Sequence, residues 1–325
     1  MNAMTLFRRE EIEAAHRLVH QAMPATPQYA WPLLARRLGA QVWVKHENHT
    51  PVGAFKLRGG LVYLDGLRRR EPRCTGVISA TRGNHGQSMG FAARRHGLSA
   101  TIVVPHGNSL EKNAAMRELG VELLEHGDEF QAAREHAQAL AAERGLHMVP
   151  SFHADLVLGV CTGWVEFFSA VQPDVLFVPV GMGSGLCAAA VARRHTGVHT
   201  RLIGVVSSHA LAYRLSFEQG RAVEAPVTTQ LADGMACRSP DPQALEIIRA
   251  EAEDIVCVSD AEVAEAMRAL FADTHNVAEG AGAAAFAAAM QQRERWRGKT
   301  VGVALTGGNV DSGAFAQVLA CAAGA

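Results

Sequence analysis

Two hydrophobic periods alternate along most of the chain. Short apolar runs, such as those at 100–105 and 175–180, are typical of buried strands. Between such runs lie longer segments whose apolar positions recur every three or four residues, as at 129–143, and this spacing predicts helices. Strands separated by helices of this length form βαβ crossovers in parallel sheets. The pattern therefore predicts an α/β fold.

The same alternation predicts two sheets and two domains. Segment 76–150 contains a continuous series of strands and helices, which indicates a small domain inserted into the chain. Segments 1–75 and 151–325 then form one large domain. We expect each domain to be an open, mostly parallel sheet flanked by helices.

Composition narrows the class of protein. The 325 residues are 48% hydrophobic and 19% charged, with a net charge of −1, so a nucleic-acid or anionic membrane partner is not expected. The first residues lead into a charged helix rather than a signal peptide, and no apolar run is long enough to span a bilayer. The six cysteines are scattered, without a CxxC pair, which fits a reducing compartment. We therefore expect a cytoplasmic protein.

A single lysine stands out in the glycine-rich segment 51–60. Lys56 lies among apolar residues where a helix is predicted to begin. The helix dipole and an apolar environment both disfavour an ammonium group, and a neutral amine can form a Schiff base with a carbonyl. The alternative is an ordinary surface lysine whose alkyl chain lies along an amphipathic helix.

Segment 79–87 joins a predicted strand to a predicted helix. Its hydroxyls, amide and backbone N–H groups at a helix N-terminus suit an anion such as a carboxylate, although a simple helix cap is the alternative. Ligands bind at the carboxyl ends of strands in such sheets. The candidate substrate-binding residues here are Ser79, Thr81, Arg82, Gly83 and His85.

A second loop of this kind is rich in glycine. Segment 181–185 follows an apolar strand and precedes a helix, so its backbone N–H groups can bind a phosphate. The loop lacks the Walker lysine, and the next strand runs into Ser207 and Ser208 without the acid of a dinucleotide site. Two interpretations of the loop remain, a phosphate-binding site and a plain structural turn. The residues of this loop are Gly181, Met182, Gly183, Ser184 and Gly185.

These features together suit one cofactor. Thr306 ends the last strong strand and offers a neutral hydroxyl to the same crevice. A neutral lysine, a phosphate loop, an anion-binding loop and this hydroxyl match pyridoxal 5′-phosphate, an aldehyde that carries a phosphate.

The chain resembles the fold type II pyridoxal-phosphate enzymes, which have a tryptophan synthase β-like fold. The match is to the serine/threonine dehydratase (threonine ammonia-lyase) and serine racemase group, and it covers nearly the whole chain. It depends on segments 53–59, 83–87, 181–185, 277–283 and 306–309. The resemblance implies that the cofactor is bound by Phe55, Lys56, Asn84, loop 181–185, Glu279 and Thr306.

The resemblance also implies a reaction. Lys56 carries the cofactor and then removes the Cα proton of the substrate as a general base. Loss of the β-hydroxyl leads to a 2-oxo acid and ammonia. We therefore expect a dehydratase for a β-hydroxy amino acid, with L-threonine or L-serine as the default substrate. Relatives suggest a homodimer.

Arg82 keeps several alternatives open. Racemases of this group have a serine at that position, and a guanidinium cannot serve as a base, so a racemase is disfavoured. Arg82 either binds a side-chain carboxylate, which makes 3-hydroxyaspartate a candidate substrate, or faces solvent or a neighbouring acid. A bulkier substrate such as phenylserine also remains open. A β-replacement synthase, an NAD(P)-binding protein and a non-catalytic relative are weaker alternatives.

Two absences complete the predictions. Segment 206–212 has no carboxylate where some relatives bind a divalent cation, so no metal site is predicted. The sequence ends soon after Thr306, so no C-terminal regulatory domain is expected.

Overall fold

The computed structural model describes residues 7–321. The first residues, from which the absence of a signal peptide is predicted, lie outside this range. Within it, no helix combines the length and the apolar character needed to cross a membrane.

A six-stranded sheet forms the centre of the larger part of the molecule. Its strands follow the order β1-β2-β10-β7-β8-β9. All neighbours are parallel except the edge strand β1, which is antiparallel to β2. The strands are β1 (Gln28–Ala30), β2 (Gln41–His46), β7 (Val175–Pro179), β8 (Arg201–Ser207), β9 (Asp254–Val258) and β10 (Thr300–Leu305).

A four-stranded parallel sheet lies within residues 76–148. Its strand order is β5-β4-β3-β6. The α/β prediction with two mostly parallel sheets is confirmed, whereas the exact domain boundaries stay a prediction. The strands are β3 (Gly76–Ala80), β4 (Ser99–Val104), β5 (Glu122–Glu125) and β6 (His147–Met148).

Helices cover both sheets. Those of the first half are α1 (Arg9–His20), α2 (Pro32–Leu38), α3 (Lys56–Arg70), α4 (Asn84–Arg95), α5 (Leu110–Glu118), α6 (Phe130–Arg144) and α7 (Ala154–Ala170). Those of the second half are α8 (Ser184–Thr196), α9 (Ala212–Gln219), α10 (Pro242–Glu251), α11 (Asp260–Thr274), α12 (Gly280–Gln291), α13 (Arg293–Trp296) and α14 (Ser312–Ala320).

Helix α3 is held by close backbone contacts, and this fixes the lysine at its start. A Cβ on Gly59 would lie 2.9 Å from the Leu156 carbonyl oxygen, and one on Gly159 only 2.1 Å from that of Arg58. Only glycine permits α3 and α7 to approach this closely. The position of Lys56 is therefore set by packing in the interior of the protein rather than by a surface loop.

Some elements were not predicted from the sequence. The short strand β1 and the helices α9, α10, α13 and α14 have no counterpart in the predicted pattern. The helix predicted to follow segment 79–87 begins within that segment, at Asn84, because Gly83 precedes it with a φ of 155° that turns the chain into the helix.

Candidate active site

One large cavity opens where the carboxyl ends of strands from both sheets meet. Its volume is about 1190 Å³. Segments after β3, β7 and β10 line it, as expected for ligand sites in parallel sheets. The predicted site residues on its wall are Phe55, Lys56, Thr81, Arg82, Gly83, Asn84, His85, Gly181, Met182, Gly183, Ser184, Gly185, Glu279 and Thr306.

Ser79 is the predicted site residue that the structure does not bring to this wall. Its hydroxyl donates to the carbonyl of Val149, 3.3 Å away, at the end of the buried strand β3. Strand alternation explains the difference, because successive side chains of a strand point to opposite faces of its sheet.

Lys56 is the first residue of α3 and is partly buried at the cavity wall. Its ammonium makes no ion pair or hydrogen bond with any residue from 7 to 321, and its Nζ lies 4.9 Å from the centre of the Phe55 ring. Burial lowers the pKa of this lysine, although the charges of Glu279 and Asp233 oppose the shift. The site therefore favours the neutral, nucleophilic amine.

The glycine loop presents unpaired backbone amides to the cavity. The N–H groups of residues 181–185 donate to no acceptor within the described part of the chain. Two buried side chains fix the loop from behind, since Tyr213 donates to the Met182 carbonyl at 2.9 Å and Trp164 to that of Gly185 at 3.1 Å. The loop leads directly into α8, whose positive dipole end adds to an anion site.

Gly183 is required at its position in this loop. Its φ is 94°, in the left-handed region. A Cβ there would lie 2.8 Å from the side chain of Ala244 and 2.9 Å from the hydroxyl of Tyr213. Met182 is partly buried, packs against the core and lies 3.8 Å from the sulfur of Cys237.

Both polar atoms of the Asn84 side-chain amide form hydrogen bonds within the protein. Its nitrogen donates to Glu279 at 2.7 Å, and its oxygen accepts from Asn309 at 2.8 Å. An amide nitrogen carries two hydrogens, so one remains for a ligand in the cavity. The network thus fixes the orientation of the amide that the resemblance assigns to the cofactor.

Glu279 is almost fully buried beside this amide. One of its oxygens, Oε2, has no hydrogen-bond partner in the described range. Burial raises the pKa of Glu279, and the nearby Lys112 reduces the shift. This oxygen lies 3.7 Å from the ammonium of Lys112, too far for a hydrogen bond, so it can still accept one from a ligand.

The loop after β3 contributes three polar groups with different surroundings. Thr81 accepts a hydrogen bond from the Gly83 N–H at 3.1 Å, so its hydroxyl shapes the turn. His85 has a buried, unpaired Nε2, and burial lowers its pKa to about 4. Arg82 is exposed at the cavity wall and forms no ion pair with an acid of residues 7–321.

Thr306 connects the end of β10 to the lysine segment. Its backbone carbonyl accepts from the Phe55 N–H at 2.9 Å. Its buried hydroxyl lies 3.5 Å from the Ala281 carbonyl, a weak contact that leaves the oxygen free as an acceptor. The neutral hydroxyl predicted from the sequence is therefore in the same cavity as Lys56.

Lys112 is a cavity residue that the sequence analysis missed. It lies in α5 of the four-stranded region, yet its Nζ is 2.8 Å from Asp233 and 3.7 Å from Glu279. Burial lowers its pKa, but the two acids outweigh this and raise it overall. The signal that could have found it is its position just after β4, since a loop at the carboxyl end of a parallel strand faces the ligand crevice.

The residues present fit pyridoxal 5′-phosphate. A neutral amine suits the aldehyde, and the five unpaired amides of loop 181–185 suit the phosphate. The amide of Asn84 and the hydroxyl of Thr306 line the same cavity, and the resemblance assigns them to the phenolic oxygen and the ring nitrogen of the cofactor. These donors converge on one cavity large enough for the cofactor and an amino acid.

Comparison with known proteins agrees with this geometry. Residues 19–307 match the family model described as "Pyridoxal-phosphate dependent enzyme". The chain is 37% identical over 281 residues to an L-threonine ammonia-lyase of Geobacter sulfurreducens, covering 85% of this chain and 69% of that protein. It is 33% identical over 310 residues to an L-threo-3-hydroxyaspartate ammonia-lyase of Saccharomyces cerevisiae, covering 95% and 94%.

Solved structures give the same result. The processed form of threonine deaminase isoform 2 from Solanum lycopersicum superimposes with a TM-score of 0.89 at 26% identity, covering 97% of this chain and 93% of that one. The predictions of fold type, cofactor and a pyridoxal-phosphate-dependent lyase are confirmed. The chain belongs to the family of pyridoxal-phosphate-dependent enzymes.

Proposed function

We propose that this protein eliminates water from a β-hydroxy amino acid, with L-threonine or L-serine as the default substrate, and releases a 2-oxo acid and ammonia. One observation carries the proposal. The neutral amine of Lys56 shares a cavity with five backbone amides that have no protein acceptor in the described chain. The ammonia-lyase names of the relatives support the same reaction.

Lys56, Asn84, Thr306 and loop 181–185 are the residues proposed to hold the cofactor. When bound, pyridoxal phosphate withdraws electrons from the Cα atom of an amino acid. Lys56 then takes the Cα proton, a role for which its lowered pKa is suited because the amine must be unprotonated. The unpaired amides hold a phosphate without adding a mobile proton.

The rest of the cavity favours elimination over racemisation. Racemisation needs a second base that can return a proton on the opposite face of Cα. The Arg82 guanidinium stays protonated, and the pKa of His85 is lowered to about 4, so neither group is a good proton carrier near neutrality. Lys56 is then the proposed base.

A second candidate substrate, 3-hydroxyaspartate, is favoured by Arg82. This arginine lies at the cavity wall, exposed and without an ion pair to an acid of the described residues. A guanidinium in this position can bind a side-chain carboxylate through two parallel hydrogen bonds. Two relatives that cover 95% of the chain are named L-threo-3-hydroxyaspartate ammonia-lyases.

The test is a panel of L-threonine, L-serine, 3-hydroxyaspartate and phenylserine, assayed for ammonia and 2-oxo acid with the cofactor-loaded enzyme. Release of both products from at least one member is expected. Absence of both products from every member would overturn the proposal. D-serine formation from L-serine without ammonia would instead establish a racemase.

The variant Arg82→Ala distinguishes the two substrate classes. If Arg82 binds a side-chain carboxylate, we expect kcat/KM for 3-hydroxyaspartate to fall at least tenfold more than kcat/KM for L-threonine, as for a lost charged hydrogen bond of about 1.5–3 kcal/mol. Arg134→Ala is a matched control, because Arg134 also lines the cavity. If kcat/KM for the two substrates fell by the same factor in Arg82→Ala, Arg82 would not bind the side-chain carboxylate and would face solvent.

Three further features belong to this proposal. The homodimer rests on the resemblance to relatives, and the cytoplasmic location on the composition and on six cysteines that are all free. The two-domain division, with 76–150 inserted between 1–75 and 151–325, is supported by a separate sheet within residues 76–148.

A further inference from the structure

A cluster of metal-binding side chains lies outside the cavity. His16 and His20 occupy positions i and i+4 of α1, so their rings project from the same face of that helix. Glu166 of α7 faces them. One donor atom from each of the three lies within 4.8 Å of the others, and this is the one such group that residues 7–321 contain.

Two of the three distances between the donor atoms are close to those between ligands of a tetrahedral zinc ion. The Nε2 atoms of His16 and His20 are 3.1 Å apart, and the Nε2 atom of His20 is 3.1 Å from Glu166 Oε1. Zinc bonds of about 2.0–2.1 Å in a tetrahedron separate neighbouring ligand atoms by roughly 3.3 Å. These two pairs reach the tetrahedral separation with shifts of a few tenths of an ångström, and the third pair, His16 and Glu166, lies within 4.8 Å.

The carboxylate already has the supporting contacts expected of a metal ligand. Arg58 donates to both oxygens of Glu166, at 2.6 and 2.9 Å, and Lys45 donates to Oε2 at 2.6 Å. Such hydrogen bonds orient ligating carboxylates in metal sites. A carboxylate oxygen has two lone pairs, so Oε1 can accept from Arg58 and still bind an ion.

The buried ion pairs beside the site add no net charge. Lys45 and Arg58 carry two positive charges, and Glu47 and Glu166 carry two negative ones. Arg17 places one further positive charge near His16. Both histidines are partly buried, with 26% of the His20 side chain exposed. Water can therefore reach the site and supply the fourth ligand.

We propose that His16, His20 and Glu166 bind a zinc ion with an open fourth position. Two histidines four residues apart on a helix, completed by a glutamate from a second helix, form a His2Glu ligand set. The site lies on the far side of α3 from the cavity, because Glu166 contacts Arg58 whereas Lys56 faces the cavity. The ion is expected to bind independently of the lyase reaction.

The experiment is zinc binding to the cofactor-loaded enzyme after treatment with a chelator. Equilibrium dialysis should show that wild type binds one zinc ion more than the double variant His16→Asn/His20→Asn, or binds it at least tenfold more tightly. Cobalt substitution provides a second measurement, because tetrahedral Co²⁺ absorbs visible light far more strongly than octahedral Co²⁺. Wild type should give this absorption, and the double variant should lose it.

His126→Asn/His136→Asn is the matched control. These two rings are stacked with centroids 3.9 Å apart, but no third ligand completes a group around them in the described range. The control should keep the bound zinc and the tetrahedral cobalt absorption. Equal zinc binding by wild type and the His16/His20 variant, equal loss in the control, or an octahedral cobalt spectrum would each overturn the proposal.

Discussion

Two polar clusters lie on opposite sides of α3, and they differ in whether their polar groups have partners within the protein. The first, the arginine cluster, consists of Lys45, Glu47, Arg58 and Glu166. Arg58 donates to Glu47 at 2.8 and 3.0 Å and to Glu166 at 2.6 and 2.9 Å. The Lys45 ammonium donates to Glu166 and to the Thr26 carbonyl. Each of its four charges is compensated within the cluster.

The second, the cavity cluster, consists of Lys56, Asn84, His85, Lys112 and Glu279. Lys56 has no ion pair among residues 7–321, and His85 Nε2 and Glu279 Oε2 lack hydrogen-bond partners there. The pKa shifts differ accordingly. Burial opposes ionisation of Glu166, but Arg58 and Lys45 lower its pKa overall, whereas burial raises the pKa of Glu279.

This difference separates a structural cluster from a functional one. Buried polar groups normally have hydrogen-bond partners, because a buried group without one loses its hydrogen bonds to water and gains none in the protein. Groups without hydrogen-bond partners that converge on a cavity thus indicate a ligand-binding site, whereas the paired charges of the arginine cluster hold the fold together. Glu166 is the member of that cluster that also faces outward, because its Oε1 atom lies 3.1 Å from His20. Five substitutions, grouped in four experiments, test this interpretation.

Lys56→Ala should have the largest effect. It removes both the amine that carries the cofactor and the base that takes the Cα proton, so turnover should fall by at least about 10⁴-fold, or roughly 5 kcal/mol. The unfolding midpoint should hardly change, because no described ion pair is lost. Ammonia release and urea unfolding measure the two effects. Retained turnover would remove Lys56 from the mechanism.

Arg58→Ala should act in the opposite way, mainly on stability. It leaves Glu47 and Glu166 buried without their main partner, which typically costs about 3–5 kcal/mol. The free energy of unfolding in urea measures the loss. A loss below about 1 kcal/mol would mean that the arginine cluster does not stabilise the fold.

The two buried glutamates provide a matched pair. Glu166→Gln should cost about 3 kcal/mol of unfolding free energy, because the lowered pKa means that the fold favours the carboxylate. That contribution is present above the unfolded pKa and is lost as pH falls through the lower folded value. Glu279→Gln should change stability by less than about 1 kcal/mol, because its raised pKa favours the neutral form. If both variants lost the same unfolding free energy, the two glutamates would not differ in the charge state that the fold favours.

His85→Asn should have the smallest effect, visible as a change in pH dependence. The folded pKa of His85 is about 4, below the ordinary 6.5, so wild type loses stability as pH falls from 6.5 to 4. In the cofactor-free protein the variant should lose about 1–2 kcal/mol less over this interval, a value reduced from the full shift because the ring is partly exposed. Parallel curves for both proteins would show that His85 does not titrate in this way.

Much of the fold follows from local patterns in the sequence. Apolar runs predicted β3, β4, β7 and β10. Glycines indicated the loops that follow β7 and β10. The antiparallel edge strand β1 has only three residues, which is too few for a pattern to be recognised. Helix α10 does have a helical apolar pattern and an Asp241 N-cap, and both were overlooked. Their positions in the fold depend on contacts with β2 and α8, which a local pattern does not contain.

The site was predicted as far as its residues lie on recognisable loops. Lys56, Asn84 and Thr306 line the cavity as expected, but their partners are distant in sequence. Asn84 and Glu279 are 195 residues apart, and Arg58 and Glu166 are 108 apart. Pairings at such separations need the three-dimensional fold. The same reason hid the proposed zinc site, since nothing in the sequence places Glu166 beside His16 and His20.

Helix α3 has a consequence for redesign of this enzyme. Its backbone is locked against α7 at Gly59 and Gly159, so the first turn is a fixed reference point inside the protein. The cavity wall also includes residues 224–227 and 236–239, which belong to a segment without long helices or strands. An engineer who wants a new substrate preference should vary that segment and leave α3 untouched, so that the reactive amine keeps its place while the wall changes shape.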